Sequence, residues 1–367
     1  MLIARAPLRV SLAGGGTDLP AYYERHGGLV VSTTIDKYVY VYASPNGSEP
    51  AQITSADYQI FYRHRQGVPM NWDGDLALPR AVLHEFGVER ALSLFLASEV
   101  PPGTGLGSSS AIAVALIQAV AACMRQRLSR QQMAELACQV ELVKLKAPIG
   151  KQDQFAAAFG GLNCFTFERA GVTVEPLRLR PEVHEQLERR LLLFFTGTAR
   201  NSATILQEQQ QASAQGRPAT VEGLHQIKAL AVACRACLEA GDLDGVGQLL
   251  DEGWRHKRGL ARGITNERID QLYAVARAHG ALGGKITGAG GGGFLLLYCH
   301  EEHQPALTAA LEERGLRRMD FRCERQGVTL GTVRWLNDTE DGTTDQAPAG
   351  WPAALPPADA GQVRVAT

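Results

Sequence analysis

The chain has 367 residues, 45% of them hydrophobic, and its 37 lysines and arginines against 38 aspartates and glutamates leave a net charge of −1. That length allows two compact domains, and the near-neutral balance excludes a general field for gathering nucleic acid while permitting a local cationic pocket for a small anion. No apolar run is long enough to span a bilayer, and "MLIARAPLRVSLAGGGTD" places arginines inside its apolar run rather than following the plan of a secretory signal.

In chain order, the first landmark is the glycine turn "LAGGGTD". "GLVVSTTI" and "KYVYVYA" then carry β-branched and aromatic residues at strand spacing and predict two antiparallel strands. "PRAVLHEFG" predicts a short helix ending on glycine, and "ALSLFLASEV" a strand that delivers the chain into "PPGTGLGSSSA". "SSSAIAVALIQAVAACMRQRL" reads as a largely buried helix. The next helix opens at Ser129 and Gln132 with capping-box spacing and runs through "MAELACQVELVKL" until Pro148 closes it. "GLNCFTF", "VTVEPL" and "RRLLLFFTG" predict strands, the last opening the second half of the protein. From Asn201 to Asp251 the text is helical with one interruption at "ASAQGRPAT". "TNERIDQLYAVARAHG" is a helix capped at Thr265 or Asn266 and stopped at Gly280. That helix leads to the glycines of "KITGAGGGG", and "FLLLYC", "QPALTAALEERG" and "GVTLGTVRWL" follow as strand, helix and strand. Beyond Asn337 the composition shifts to Pro, Ala, Gly, Asp and Thr, which predicts a disordered tail.

The seven cysteines are odd in number, scattered and mostly in apolar segments, the usage of a reducing cytoplasm. Cys234 and Cys237 spell C-x-x-C inside a helical segment, with no second such pair or nearby histidine pair, so packing is a better reading than zinc or redox chemistry.

Gly288, Gly290 and Gly293 satisfy G-x-G-x-x-G, the pattern of a dinucleotide-binding turn. Such a turn needs a strand before and a helix after, so that the helix N-terminus meets the pyrophosphate. Here a helix precedes and a strand follows, which argues against a dehydrogenase. "PPGTGLGSSSA" is more specific, because glycines 103, 105 and 107 let backbone N–H groups turn inward and Ser108, Ser109 and Ser110 open a helix. That is the layout of a phosphate cradle. It is not a Walker loop, since no lysine follows the last glycine, and a tightly packed structural turn would look similar.

A cradle handling a nucleoside triphosphate needs magnesium, which wants a carboxylate. Glu141, among apolar neighbours, is a candidate, with a solvated helix-face glutamate as the alternative. Asp153, between two glutamines after Lys151, could take the proton of a substrate hydroxyl or could simply favour a helix N-terminus. Arg9 and Asp18 flank the first glycine turn, where a carboxylate could accept sugar hydroxyls or merely shape the turn.

Together and in order, "APLRVSLAGGGTD", "PPGTGLGSSSA" and "KITGAGGGGF" resemble the GHMP kinases, over about residues 3 to 335. The resemblance implies an α+β, two-domain GHMP kinase fold. An N-terminal ribosomal-protein-like α/β domain spans 1–185, a ferredoxin-like domain 186–336 and a disordered tail 337–367, with the site in the cleft between the domains. It implies ATP and Mg2+ as cofactors, with Asp153 as catalytic base and Arg9 beside it. Glu141 and Ser109 (or Ser108) would be metal ligands, and Pro102, Gly103, Gly105, Leu106, Gly107, Ser108, Ser109 and Ser110 would form the nucleotide loop. Asp18, Gly15, Gly16, Thr17, Lys151, Gln152, Gly288, Ala289, Gly290 and Gly291 would meet the substrate, so that a side chain placed at Gly290 would crowd it. Galactokinases carry G-E-H-T-D where this chain has "GGGTD", which argues against galactose. Within the superfamily, "GGGTDLPAYY", "PIGKQDQFAAAFGG" and "FTGTARNSATIL" look like the D-glycero-D-manno-heptose 7-phosphate kinases. A substrate that already bears a phosphate needs cations at its far end, and Arg200 and Lys257 are the candidates ahead of Arg258 and Arg262. The partners implied are a sugar phosphate and ATP, with no nucleic acid or membrane; a homodimer is allowed. A kinase for fucose, a silent sugar- and nucleotide-binding sensor and a decarboxylating relative are the rivals.

Overall fold

Leu2–Ala13 forms β1, a strand buried along most of its length that carries Arg9 inward. The computed structural model describes residues 1–197 and 203–333. After β1 come α1 (Pro20–His26), β2 (Gly28–Pro50), β3 (Gln52–Ser55), β4 (Ile60–Arg63), α2 (Ala77–Glu85) and β5 (Arg90–Ser98). Then follow α3 (Ser108–Cys123), α4 (Arg130–Cys138), α5 (Gln152–Phe159), β6 (Leu162–Glu168), β7 (Gly171–Pro176), α6 (Pro181–Arg190) and β8 (Leu191–Phe195). The rest is α7 (Ala203–Ala214), α8 (Pro218–Ala240), α9 (Leu243–Arg258), α10 (Glu267–Ala278), β9 (Ala281–Ile286), β10 (Phe294–Cys299), α11 (Gln304–Glu312), β11 (Arg317–Met319), β12 (Cys323–Glu324) and β13 (Thr329–Thr332).

Two sheets organise these elements. A nine-stranded sheet runs β13-β1-β2-β5-β3-β4, with β12 and β6 also pairing β2 and β7 pairing β6; a four-stranded sheet runs β11-β8-β10-β9. The chain has the mixed α+β architecture that the resemblance implies. Helix α3 packs on β1 and β2 with an almost wholly apolar, small-residue sequence, which lets it lie close to the sheet. In the smaller sheet both faces are covered. Leu191, Leu193, Leu296 and Tyr298 enter the core under the large sheet, while Leu192, Phe194, Leu295 and Leu297 enter a second core around Trp254, Ile264 and Tyr273. This alternation is why "RLLLFF" and "FLLLYC" are apolar throughout.

Several expectations are corrected here. "GLVVSTTI" and "KYVYVYA" form one continuous strand, because Asp36 and Lys37 between them are absorbed as a register shift opposite Pro7 and Leu8 and do not make a turn. The helical stretch around 201–251 has a second break at Gly241, in the left-handed region with φ 81°, before Asp242 caps α9. A strand, β9, lies between α10 and the glycines of "TGAGGGG", so that loop joins two antiparallel neighbours instead of following a helix. No helix follows those glycines, and the dinucleotide reading still fails. The final strand, read from sequence as the end of the C-terminal half, is β13 and returns to the large sheet beside β1, while β12, which the sequence reading did not contain, pairs with β2. The tail beyond Asn337 lies outside the described residues.

The capping box of α4 is present, with Ser129 and Gln132 bonded reciprocally, and Asn266 caps α10 through its side chain. Cys234 belongs to the core, burial pushes its thiol up to about 12, and all seven cysteines are free. Among the described residues no cluster of three or more His, Cys, Asp or Glu could hold a metal ion unaided. No helix among them is long and apolar enough to cross a membrane.

Candidate active site

The cleft forms where three glycine-rich segments converge, and Arg9 lies at its floor. The residue is 4% exposed, and its guanidinium donates from Nε and Nη2 to the two carboxylate oxygens of Asp153, each at 2.8 Å, and from Nη1 to Gly105 O at 2.6 Å. This fork fixes the plane of the Asp153 carboxylate and ties it to the loop at 103–107. Asp153 sits in the first turn of α5, where the helix dipole favours an anion. Gly107 is needed beside it: a Cβ there would lie 3.2 Å from the Asp153 carboxylate, and its φ is 78°.

The loop itself ends with Gly107 at the N-cap of α3, and no side chain caps that end. The first N–H groups of a helix have no intrahelical partner, so those at Ser108, Ser109 and Ser110 are presented to the cleft with the positive end of the dipole. A second depression shares Gly103, Ser108 and Ser109 with the cleft and is otherwise largely apolar, with Ile60, Pro79, Leu96, Pro102 and Ile112 in its wall. Pro102 faces this depression and not the cleft, and Leu106 is core, its carbonyl accepting from Arg9 N at 3.1 Å.

Glu141 is 2% exposed, on a stretch Gln139–Lys144 that opens into a π-helix continuing α4, where Leu145 N–H reaches Val140 O at 2.9 Å. Such a widened turn is a recurrent device for projecting a functional side chain. Gln154 Nε2 donates to Glu141 Oε2 at 2.7 Å and Ser109 Oγ to Oε1 at 3.1 Å. Burial nevertheless pushes its carboxyl up to about 7, with the bonds from Ser110, Gln154 and Ser109 opposing and the nearby Asp153 charge adding. One buried carboxylate with hydroxyls beside a phosphate cradle is a donor set that fits magnesium, which keeps waters and phosphate oxygens as its remaining ligands.

Asp18 lies across from Asp153, also 2% exposed. Its carboxylate accepts from Gly16 N at 2.9 Å and from Gln152 N at 3.3 Å, and burial followed by the Asp153 charge raises its pKa. Gly150 makes room for it, since a Cβ there would stand 1.9 Å from Asp18 Oδ2. Two buried lysines complete the charge balance. Lys257 donates to Gly288 O, and burial with the Arg9 charge lowers it to about 8. Lys285 lies 3.4 Å from both Ser11 Oγ and Leu12 O and is lowered well below its usual range by burial and by Lys257. Neither is ion-paired with a carboxylate among the described residues.

Most of the residues picked from the sequence meet in this cleft. Gly15, Gly16, Gln152, Lys257, Gly288, Ala289 and Gly290 line it with Arg9, Asp18, Glu141 and Asp153. Others do not. Thr17 is buried away from it, its hydroxyl donating to Gly14 O at 2.8 Å to hold the turn. Lys151 points to the Tyr23 ring, 5.0 Å from its centroid. Gly291 uses its N–H on Ile264 O at 2.7 Å, and Gly292 lines the cleft in its stead. A side chain at Gly290 would strike Ile264 O, 2.7 Å from its Cβ, before it reached a substrate. Arg258 is paired with Asp270 at 3.2 Å, and Arg200 lies outside the described residues. The sequence reading missed Ser11, Gln209, Lys285 and Thr287, all of which line the cleft. A lysine inside the otherwise apolar strand "ALGGKI" was a signal for Lys285.

Comparisons with known proteins agree with this architecture. The GHMP kinases N terminal domain model matches residues 77–161, and the GHMP kinases C terminal model matches 234–316. The D-glycero-alpha-D-manno-heptose 7-phosphate kinase of Campylobacter jejuni is 30% identical over 88% of this chain and 97% of its own. The bifunctional fucokinase/GDP-fucose pyrophosphorylase of Arabidopsis thaliana is 26% identical over 84% of this chain, which matches only 31% of that longer protein. Among solved structures, one described as a D-glycero-D-manno-heptose 1-phosphate kinase from Bacteroides thetaiotaomicron superposes with a TM-score of 0.74 at 27% identity, covering 91% of this chain and 100% of that one. The fold and these relatives are those of ATP-dependent phosphotransferases. The chain belongs to the GHMP kinase family.

Proposed function

We propose that this kinase transfers the γ-phosphoryl group of ATP to the anomeric oxygen O1 of D-glycero-D-manno-heptose 7-phosphate, giving the 1,7-bisphosphate. The observation that carries the reading is the Arg9–Asp153 fork standing between the phosphate loop and the Asp18 wall. In this mechanism the sugar hydroxyl sits on Asp153, which accepts its proton as O1 bonds to the γ-phosphorus and the bond to the ADP oxygen breaks. Because the transferring group is loosely bonded at the transition state, alignment matters more than strong basicity. Arg9, already locked on Asp153, adds positive charge where the equatorial oxygens gather negative charge. The loop from Gly103 to Ser110 holds the phosphates, and the apolar depression beside it takes the nucleoside. Glu141 and Ser109 would hold Mg2+, which supplies charge neutralisation across the phosphates when bound.

Asp18 accepts sugar hydroxyls, and the buried amines of Lys257 and Lys285, whose charged forms burial disfavours, would be held protonated by a substrate that itself carries phosphate. The 30% identity to the Campylobacter jejuni enzyme supports the heptose phosphate over free fucose. Seven free cysteines and a need for ATP suit a cytoplasmic setting. The test is incubation with ATP and synthetic heptose 7-phosphate, alongside fucose, galactose and mannose, with 31P and 13C NMR to locate the new ester. Phosphorylation at C1 of the heptose phosphate is expected. Preference for a free hexose would replace the substrate, and no turnover with any sugar would favour a silent sensor.

A further inference from the structure

Gln209 stands on α7, within a run of glutamines that reads as a solvated face, yet it is 2% exposed. It shares the buried stripe of that helix with Ile205, Ala212 and Ser213, at spacings of four, seven and eight residues. An aliphatic side chain would suit that stripe better, because the Gln209 Nε2 has no hydrogen-bond partner. A buried donor left unpaired is costly, and one on the wall of a cleft needs a partner from outside the fold, a water or a ligand.

The cleft tells where that ligand would lie. Gln209 lines it beside Gly15, Gly16 and Asp18. A Cβ on Gly16, whose φ is 103°, would stand 2.6 Å from Nε2, so the amide occupies the space a side chain at 16 would fill. The N–H of the same Gly16 donates to Asp18 Oδ1 at 2.9 Å. Gly16 is thus sandwiched between an acceptor and a free donor, and Gln152, which also lines the cleft, has a buried acceptor, Oε1, without a partner. A hydroxyl both donates and accepts, so one group on a polyol can give its proton to Asp18 while taking a bond from Gln209.

We propose that Gln209 is a sugar-recognition residue, donating from Nε2 to a substrate hydroxyl at the Gly16 wall and setting, with Asp18, which hydroxyl configuration is accepted. This rests on the sugar-kinase reading and adds to it a residue from the second half of the chain. A site built to hydrogen-bond a hydroxyl rejects the analogue lacking it, because its own polar groups are then stranded.

The experiment compares wild type with Gln209→Met, which keeps length and bulk without the donor. Steady-state kinetics would vary ATP and D-glycero-D-manno-heptose 7-phosphate separately, then repeat the series with monodeoxy analogues. The expected result is a sugar KM raised roughly five- to fiftyfold and an ATP KM within about twofold. The thermal midpoint should be unchanged or higher, since the variant removes an unpaired polar group. One deoxy analogue should be strongly disfavoured by wild type yet used by the variant as well as the full sugar, the non-additivity expected of a direct contact. An unchanged sugar KM, equal effects on both substrates, or additive losses with every analogue would overturn the proposal. If wild type ignores heptose 7-phosphate, the substrate assignment fails alone, and the same comparison on whichever sugar it does phosphorylate decides on Gln209. A chain that phosphorylates no sugar overturns both.

Discussion

In the loop at 103–107 the last glycine opens the backbone toward the cleft, whereas in the loop at 288–293 the glycines let two parts of the chain touch. Gly107 ends its loop as the uncapped start of α3, and the nearest atoms to a Cβ there belong to Asp153. Gly293, by contrast, would place a Cβ 2.3 Å from Thr104 O, and Gly288 one 2.7 Å from Gly105 Cα. Phe294 N–H donates to Thr104 O at 3.3 Å, tying the second loop to the first. Glycine therefore serves two purposes, one that frees N–H groups for an anion and one that allows backbone-on-backbone packing. What stands next to the missing Cβ distinguishes them, and that neighbour is remote in sequence.

The largest effect should come from the reactive side of the first loop. Asp153→Asn keeps the shape of the side chain but removes the proton acceptor and weakens the Arg9 fork, so kcat should fall roughly 10²- to 10⁴-fold. ATP-analogue affinity, read by calorimetry, should stay within a few-fold. Near-normal turnover would remove Asp153 from the chemistry and with it the functional half of the comparison.

The next pair tests the loops against each other. Gly293→Ala forces a methyl onto a backbone carbonyl at a φ of 88°, and it should cost about 2–4 kcal/mol of stability in denaturant unfolding. Gly107→Ala meets a carboxylate 3.2 Å away that can yield slightly, so about 1 kcal/mol is expected, with kcat lowered at least about tenfold as Asp153 is displaced. If Gly293→Ala proved stable and inactive while Gly107→Ala unfolded, the assignment of the two loops would be reversed.

How much of this was readable in the chain depends on whether a residue's partner is near in sequence. The caps at Ser129 and Asn266 were legible because both partners lie within three residues. The three glycine motifs located the site because their composition is itself unusual, and the family resemblance then assigned Asp153, Glu141 and Arg9, which the structure brings to one cleft. Thr17 and Lys151 adjoin functional residues in sequence but turn away from the cleft, a matter of side-chain direction that spacing in a loop does not encode. Gln209 was hidden by its polar neighbours, although its register with Ile205 and Ala212 marks a buried position. Strand β9 was hidden by Gly283 and Gly284, which weaken strand propensity but are needed where a Cβ would meet Gly247 O and Leu296 O.

The smallest and most discriminating effect concerns the hydroxyl end of the first loop, through Glu141. Burial pushes its folded-state carboxyl up to about 7, from the ordinary glutamate value of 4.5. Because the folded pKa is raised, the stability it contributes is fully present below about 4.5 and is lost as pH rises through 7, on the order of 3 kcal/mol when complete. A divalent cation needs the ionised form, so its binding should strengthen with pH across the same window. From pH 6 to pH 8 the ionised fraction of a group titrating near 7 rises roughly tenfold, and Mn2+ affinity in the presence of a non-hydrolysable ATP analogue, followed by EPR, should rise by about that factor. Glu141→Gln should abolish the rise in affinity and also remove this component of the fall in thermal midpoint between pH 5 and pH 8. Gly293→Ala, placed in the packing loop, should leave the pH dependence of Mn2+ binding intact. A wild-type affinity that stays flat with pH would show that the cation does not meet Glu141, and the first loop would then be a cradle for phosphate without its own metal ligand.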